Sequence, residues 1–203
     1  MTNIESDYIP TITKEEINLL PLAQFSGEII LIDNFTKFNQ YINELAENKI
    51  IGFDTESKPS FKKGLKNGVA LLQLSTSEKA YIFRLNFIGI PDKLKKIFQD
   101  ESIIKVGLAI RDDIKIMQKV HNFTPKSFID ICTISAQHNI EEKGLKKLAA
   151  IVLNVRISKS KQLSNWEAKT LDASQLVYAA TDAWICYELY NKLVNDEIVS
   201  GNR

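Results

Sequence analysis

Apolar and polar positions along this chain follow two rhythms, one strand-like and concentrated early, the other helical and dominant later. EIILID (28–33) is a short apolar run followed by an amphipathic stretch over 36–48, which predicts a strand and then a helix. IIGFDTE is a continuous apolar run of the kind found where a strand is covered on both faces. VALLQLST and KAYIFRL flank the short polar link SEK and predict a hairpin. A helix near 91–99 leads into the apolar strand SIIKVGL, then a helix over 112–120 and a short strand at SFIDI. From 132 onward the pattern is mostly helical, through GLKKLAAIVLN and 172–197. Ahead of these elements, residues 1–26 read as an N-terminal arm. Its short helix, KEEINLL, has Thr13 and Glu16 spaced as a capping box and is ended by Pro21. The remaining residues, 27–200, form one expected domain. Hairpins early and strand–helix alternation later predict an α/β domain with a mixed sheet flanked by helices.

Composition narrows the picture only a little. A chain of 203 residues can bury a full core in one domain, and its 44% hydrophobic and 25% charged content excludes wholesale disorder. The net charge is only +1, so a partner that is a polyanion has to be met by lysines gathered locally. Cys132 and Cys186 fall in or beside helical stretches and read as free thiols. The first residues lack a basic segment followed by an apolar one, and no apolar run is long enough to span a bilayer. A reducing cytoplasm, away from membranes, is the expected setting.

Chemistry concentrates in a few acids. In IIGFDTE the side chains of Ile51, Phe53 and Thr55 share one face, and Gly52, Asp54 and Glu56 share the other. In QLVYAATDAW, Tyr178 and Asp182 stand four residues apart on one helix face, beside a stripe of small residues at Ala179, Ala183 and Cys186. Such a stripe lets a helix approach a sheet closely and would bring Tyr178 and Asp182 over the acidic strand end. Taken singly, each residue has a plain structural explanation. Strand-end acids pair with lysines, Asp112 or Asp113 caps a helix, and a half-buried tyrosine finds a partner for its hydroxyl. Asp182 is harder to explain in that way, because an unpaired carboxylate in an apolar helix is costly. Crowded carboxylates favour hard divalent ions such as Mg²⁺, and acids with an ordered tyrosine suggest metal-assisted hydrolysis.

In their order and spacing these segments carry a resemblance. DTE, the aspartate that follows the strand in VGLAIRDDIKIM, and YAATDA resemble the three motifs of DEDD-family 3′→5′ exonucleases, and Tyr178 places the likeness in the DEDDy branch. SNWEAKTLDASQLVYAATDAW is similar to Werner-type and ribonuclease-D-like exonuclease domains, and the likeness extends over roughly 28–195. The resemblance implies a ribonuclease-H-like fold and a mechanism with two divalent ions, Mg²⁺ or Mn²⁺. It implies that Asp54 bridges both ions, that Glu56 and Asp182 complete the first, and that Asp113 holds the second. Asp113, with Ile114 and Met117 after it, fits the motif register, and Asp112 is the fallback. Tyr178 and Glu56 would orient the attacking water, and the product would be a nucleoside 5′-monophosphate.

The expected partner is single-stranded or 3′-end nucleic acid, with DNA favoured over RNA by the Werner-type likeness around SNW. The loop SKPSFKKGLKNG carries Lys58, Lys62, Lys63 and Lys66 directly after DTE; VRISKSKQLSNW carries Arg156, Lys159 and Lys161. These lysines are candidates for phosphate contact, against the competing reading of solvated loop charge. Trp166 reads first as an anchor in the core, with base stacking the alternative. Two other functions stand beside the exonuclease reading: a ribonuclease-D-like RNA 3′-end trimming enzyme, and a catalytically silent nucleic-acid-binding module.

Overall fold

The computed structural model describes residues 8–59 and 67–201, the side chains of 197–201 excepted. In chain order the elements are α1 (Lys14–Leu19), β1 (Glu28–Ile32), α2 (Phe35–Ala46), β2 (Ile50–Ser57), β3 (Val69–Ser75), β4 (Lys79–Arg84) and α3 (Leu85–Ile88). They continue with α4 (Asp92–Gln99), β5 (Ile104–Gly107), α5 (Arg111–Val120), β6 (Phe128–Asp130), α6 (Ile131–Gln137), α7 (Leu145–Leu153) and α8 (Ala173–Gly201). The described strands make one six-stranded sheet in the order β1-β4-β3-β2-β5-β6. β2, β3 and β4 run as an antiparallel meander, while β1, β5 and β6 join in parallel. This is the mixed sheet with flanking helices that the apolar pattern predicts. The four-residue α3 was not legible, because LNFI has the same apolar character as the strand before it.

Strand alternation sorts the core into two layers. Ile51 and Phe53 of β2, Leu72 and Leu74 of β3, and Tyr81 and Phe83 of β4 face α2, α4 and α5. The opposite face carries Leu71, Ala80 and Ile82 and packs against Trp166 and against Ala179 and Ala180 of α8. Farther along α8, Ile185, Leu189 and Leu193 join α6 and α7 in a further apolar cluster. Both faces of β2 are therefore covered, which accounts for its near-continuous apolar run.

The sheet and α8 come into close contact at Gly52. A Cβ built there would lie 2.0 Å from the carbonyl oxygen of Ala183 and 3.0 Å from Cβ of Tyr187. Only a residue without a side chain allows that crossing. Gly52 shares its face with Asp54 and Glu56, so the height at which α8 passes over Gly52 also sets its distance from the two acids.

Residues 8–23 pack against the elements that follow. Thr13 accepts from the Glu16 backbone N–H, and the Glu16 carboxylate accepts from the backbone N–H of Thr13, the reciprocal pair its spacing predicts. Ile12 and Ile17 pack with Ala150 of α7, and residues 21–23 exchange backbone hydrogen bonds with Arg156. The Tyr8 hydroxyl donates to Asp196 on α8. No helix of the described residues is long and apolar enough to cross a membrane.

Gly52→Ala should therefore displace α8 and destabilise the protein by about 3 kcal/mol or prevent folding. Gly68→Ala, where the added carbon meets nothing within 4 Å, is the control and should change stability little. Urea midpoints measure both, and a Gly52→Ala protein as stable as wild type would contradict the close-packing account.

Candidate active site

The acidic end of β2 and the first turns of α8 form one wall and the floor of a cleft of about 270 Å³. Asp54 and Glu56 project from β2 on the face that α8 covers, and Asp182 descends from α8 beside them. Carboxylate oxygens of Asp54, Glu56 and Asp182 all lie within 4.8 Å of one another. Asp182 is buried, whereas Asp54 and Glu56 are half-buried at the cleft's edge. Tyr178, one helical turn before Asp182, sets its hydroxyl beside that carboxylate and lowers the carboxylate's proton affinity. Leu108, Leu145, Ile157 and Cys186 supply apolar lining.

Crowding shows in the acids' proton affinities. Burial, reinforced by the charges of Asp182 and Asp113, raises Asp54 well above the usual carboxylate range. Glu56 is pushed up to about 9 by burial and then by Asp54, Asp182 and Asp113. Asp182 rises to about 7 through burial, partly offset by the Tyr178 hydrogen bond and the charge of Lys159. Burial and the neighbouring Asp182 charge also raise Tyr178, which keeps its hydroxyl protonated in the metal-free protein. Burial, followed by Asp54 and Asp182, likewise lifts the Cys186 thiol well above its usual range, so this cysteine is inert lining. Cys132 and Cys186 are both free.

Asp113 stands apart from the three-carboxylate cluster, near the start of α5 and half-buried. Its charge nevertheless acts on both Asp54 and Glu56. Asp112 is exposed. Among the lysines, Lys159 lines the cleft, but Lys161 is turned aside into an ion pair with Asp172 at 3.0 Å. Lys58 pairs with Glu167 at 3.5 Å. Lys62, Lys63 and Lys66 lie outside the described residues. Trp166 is wholly buried, with its ring 5.9 Å from that of Tyr178; it takes the anchoring place read first from the sequence, and the alternative, base stacking, finds no exposed surface there. Three polar cleft residues escaped the sequence reading, Lys146 on α7 and Ser158 and Gln162 in the loop before Trp166. Nothing in the local pattern separates Lys146 from Lys147, which is ion-paired with Glu142 at 2.7 Å; only the packing of α7 decides which one faces the cleft.

The donors suit hard divalent cations. They are all oxygens, they are clustered, and without a cation their mutual repulsion is relieved only by binding protons.

Comparison with known proteins gives a consistent result. A family model described as "3′-5′ exonuclease" matches residues 29–197. Exonuclease 3′-5′ domain-containing protein 2 of Drosophila melanogaster is 36% identical over 162 residues, which cover 78% of this chain and 27% of that protein. Bifunctional 3′-5′ exonuclease/ATP-dependent helicase WRN of Mus musculus is 30% identical over 187 residues, covering 87% of this chain and 13% of that protein. The chain thus spans about a quarter or less of these two relatives. The crystal structure of the Aedes aegypti Nibbler EXO domain matches with a TM-score of 0.78 at 25% identity, over 87% of this chain and 93% of that one. The mixed sheet and its helices are ribonuclease-H-like, as the motifs imply.

The raised acids have a consequence for stability. As pH climbs past the ordinary carboxylate range, the unfolded chain ionises while the folded protein holds its protons. Metal-free stability should therefore fall progressively from about pH 4 up to about 9, the value for Glu56. Added Mn²⁺ should raise the melting temperature more at the alkaline end, because cations displace those protons. Melting curves with chelator and with Mn²⁺ measure this, and metal-free stability that rises over the same window would contradict the crowded-acid geometry.

Proposed function

The chain belongs to the 3′-5′ exonuclease family, and on that premise we propose that its cleft hydrolyses the terminal phosphodiester of a nucleic-acid 3′ end and releases a nucleoside 5′-monophosphate. The observation that carries this reading is the convergence of Asp54, Glu56 and Asp182 in one cleft with Tyr178 beside them. Asp54, Glu56 and Asp182 would hold the divalent ions, with Asp113 contributing its charge and a further carboxylate from α5. Bound Mg²⁺ or Mn²⁺ would supply an acidified water and neutralise charge growing on the phosphorus and on the departing 3′ oxygen.

The chain's own groups do the rest. The Tyr178 hydroxyl, drawn now to Asp182, turns to the water that attacks the phosphorus and fixes its approach. Glu56 accepts the other hydrogen bond of that water. The phosphorus–3′ oxygen bond then breaks, the phosphate leaves on the terminal nucleoside, and the shortened strand keeps a free 3′ hydroxyl. Lys159 and Lys146 line the cleft and meet the phosphate backbone, while the chain's near-neutral overall charge leaves long-range attraction weak. A single-stranded end suits this narrow cleft, because its last nucleotide needs no unpairing first. DNA is favoured over RNA, on the likeness to the Werner-type relative.

Labelled single-stranded DNA and RNA, incubated with and without Mn²⁺, test the reading directly. Wild-type protein should shorten DNA stepwise from its 3′ end, and only with the ion. Asp54→Asn should lower turnover by about 10²–10³-fold or more while the fold persists. Tyr178→Phe keeps the ring and loses one hydroxyl, so turnover should fall on the order of 10²-fold with Mn²⁺ affinity nearly unchanged. Asp113→Asn should be severely impaired and Asp112→Asn near wild type. Full activity in Asp54→Asn would remove the metal-site assignment, and a reversed ranking of the two α5 aspartates would move the fourth acid by one residue.

A further inference from the structure

Gln73 lies in the middle of β3, directly opposite Asp54 of β2 in the antiparallel register. Opposed residues of such a pair share a face, so both side chains lie on the side that α8 covers. Gln73 is completely buried, and neither the nitrogen nor the oxygen of its amide has a hydrogen-bond partner among the described residues. Burying an unpartnered amide is costly, and an apolar side chain of equal length would fill the place without that cost. The strand around it, VALLQLS, uses apolar residues at Leu71, Leu72 and Leu74. On its other side Gln73 is opposed by Ile82 of β4, which offers nothing to bond. Of its two directly opposed neighbours, then, only Asp54 has a polar side chain. Directly opposed Cβ atoms stand about 4.5–5.5 Å apart, a gap that rotation of a glutamine side chain spans.

We propose that Gln73 is a positioning residue whose amide N–H donates to the Asp54 carboxylate when that carboxylate holds cations. The hydrogen bond would fix the rotation of the carboxylate and leave its remaining lone pairs for the ions. Carboxylates that ligate metals are themselves commonly hydrogen-bonded, and loss of such a partner weakens binding. On this account the misfit of an amide in an apolar layer is a structural cost that remains while the cation is absent. The inference rests on the reading of Asp54 as a metal ligand.

Two measurements on the full chain separate this role from a packing role: thermal melting of the metal-free protein, and calorimetric titration with Mn²⁺ alone. Gln73→Met and Gln73→Leu keep the volume and remove the amide. In both, the metal-free melting temperature should hold or rise by about 2–4 °C, while Mn²⁺ affinity should fall about 10-fold. A lower melting temperature, or failure of both variants to fold, would overturn the proposal and assign Gln73 to the buried layer around Trp166 and Arg84, whose Nε1 and Nε atoms also lack partners. Wild-type-like Mn²⁺ affinity in Gln73→Met would overturn the role of Gln73 alone. Wild-type protein that takes up no Mn²⁺ would overturn the reading of Asp54, and this inference with it.

Discussion

The backbone of α8 rests against β2 where residue 52 has no side chain, and the positions of the acids follow from that contact. The Ala183 carbonyl oxygen occupies the space in which a Cβ of Gly52 would stand. Asp182 is the residue before Ala183, and Tyr178 lies one turn earlier, so both are lowered onto the strand end that carries Asp54 and Glu56. Ala179 and Ala180 keep the same helix close to β3 and β4, over Leu71 and Ile82. Larger residues along this line would lift the helix and open the carboxylate cluster.

Such a cluster does not stabilise the fold by itself. Its acids are crowded and partly stripped of water, and without cations they hold protons far above the pH at which free carboxylates release them. The opposing stabilisation comes from the two apolar layers on either side of the sheet, built from residues with almost no exposed surface. Surface ion pairs such as Lys37–Asp33 and Lys192–Asp196 add little, since exposed pairs contribute at most about 1 kcal/mol each. The apolar core therefore holds the acids in a geometry that they would leave if free, and this rigidity lets them present oxygen donors in a set array.

What local periodicity controls was legible in the sequence; what tertiary packing controls was not. The phase of IIGFDTE placed Gly52, Asp54 and Glu56 on one face because strand alternation is a property of the backbone, and the observed register has them there. The capping box at Thr13 and Glu16 is equally local. The small-residue stripe of α8 pointed to close packing, although it could not show that a glycine on β2 would complete the fit. The Lys161–Asp172 and Lys58–Glu167 pairs, by contrast, bring together residues far from regular spacing. Nothing in VALLQLST marks Gln73 out locally; its missing partners are visible only with the layers around it in place.

Hydrolysis at this cleft requires cations among Asp54, Glu56 and Asp182, and anomalous scattering from crystals grown with Mn²⁺ locates them directly. The expected result is a strong Mn²⁺ peak within coordination distance, about 2–2.5 Å, of oxygens from all three carboxylates. A crystal in which these acids bind no Mn²⁺, or in which the ion sits elsewhere while the three side chains keep their positions, would contradict it.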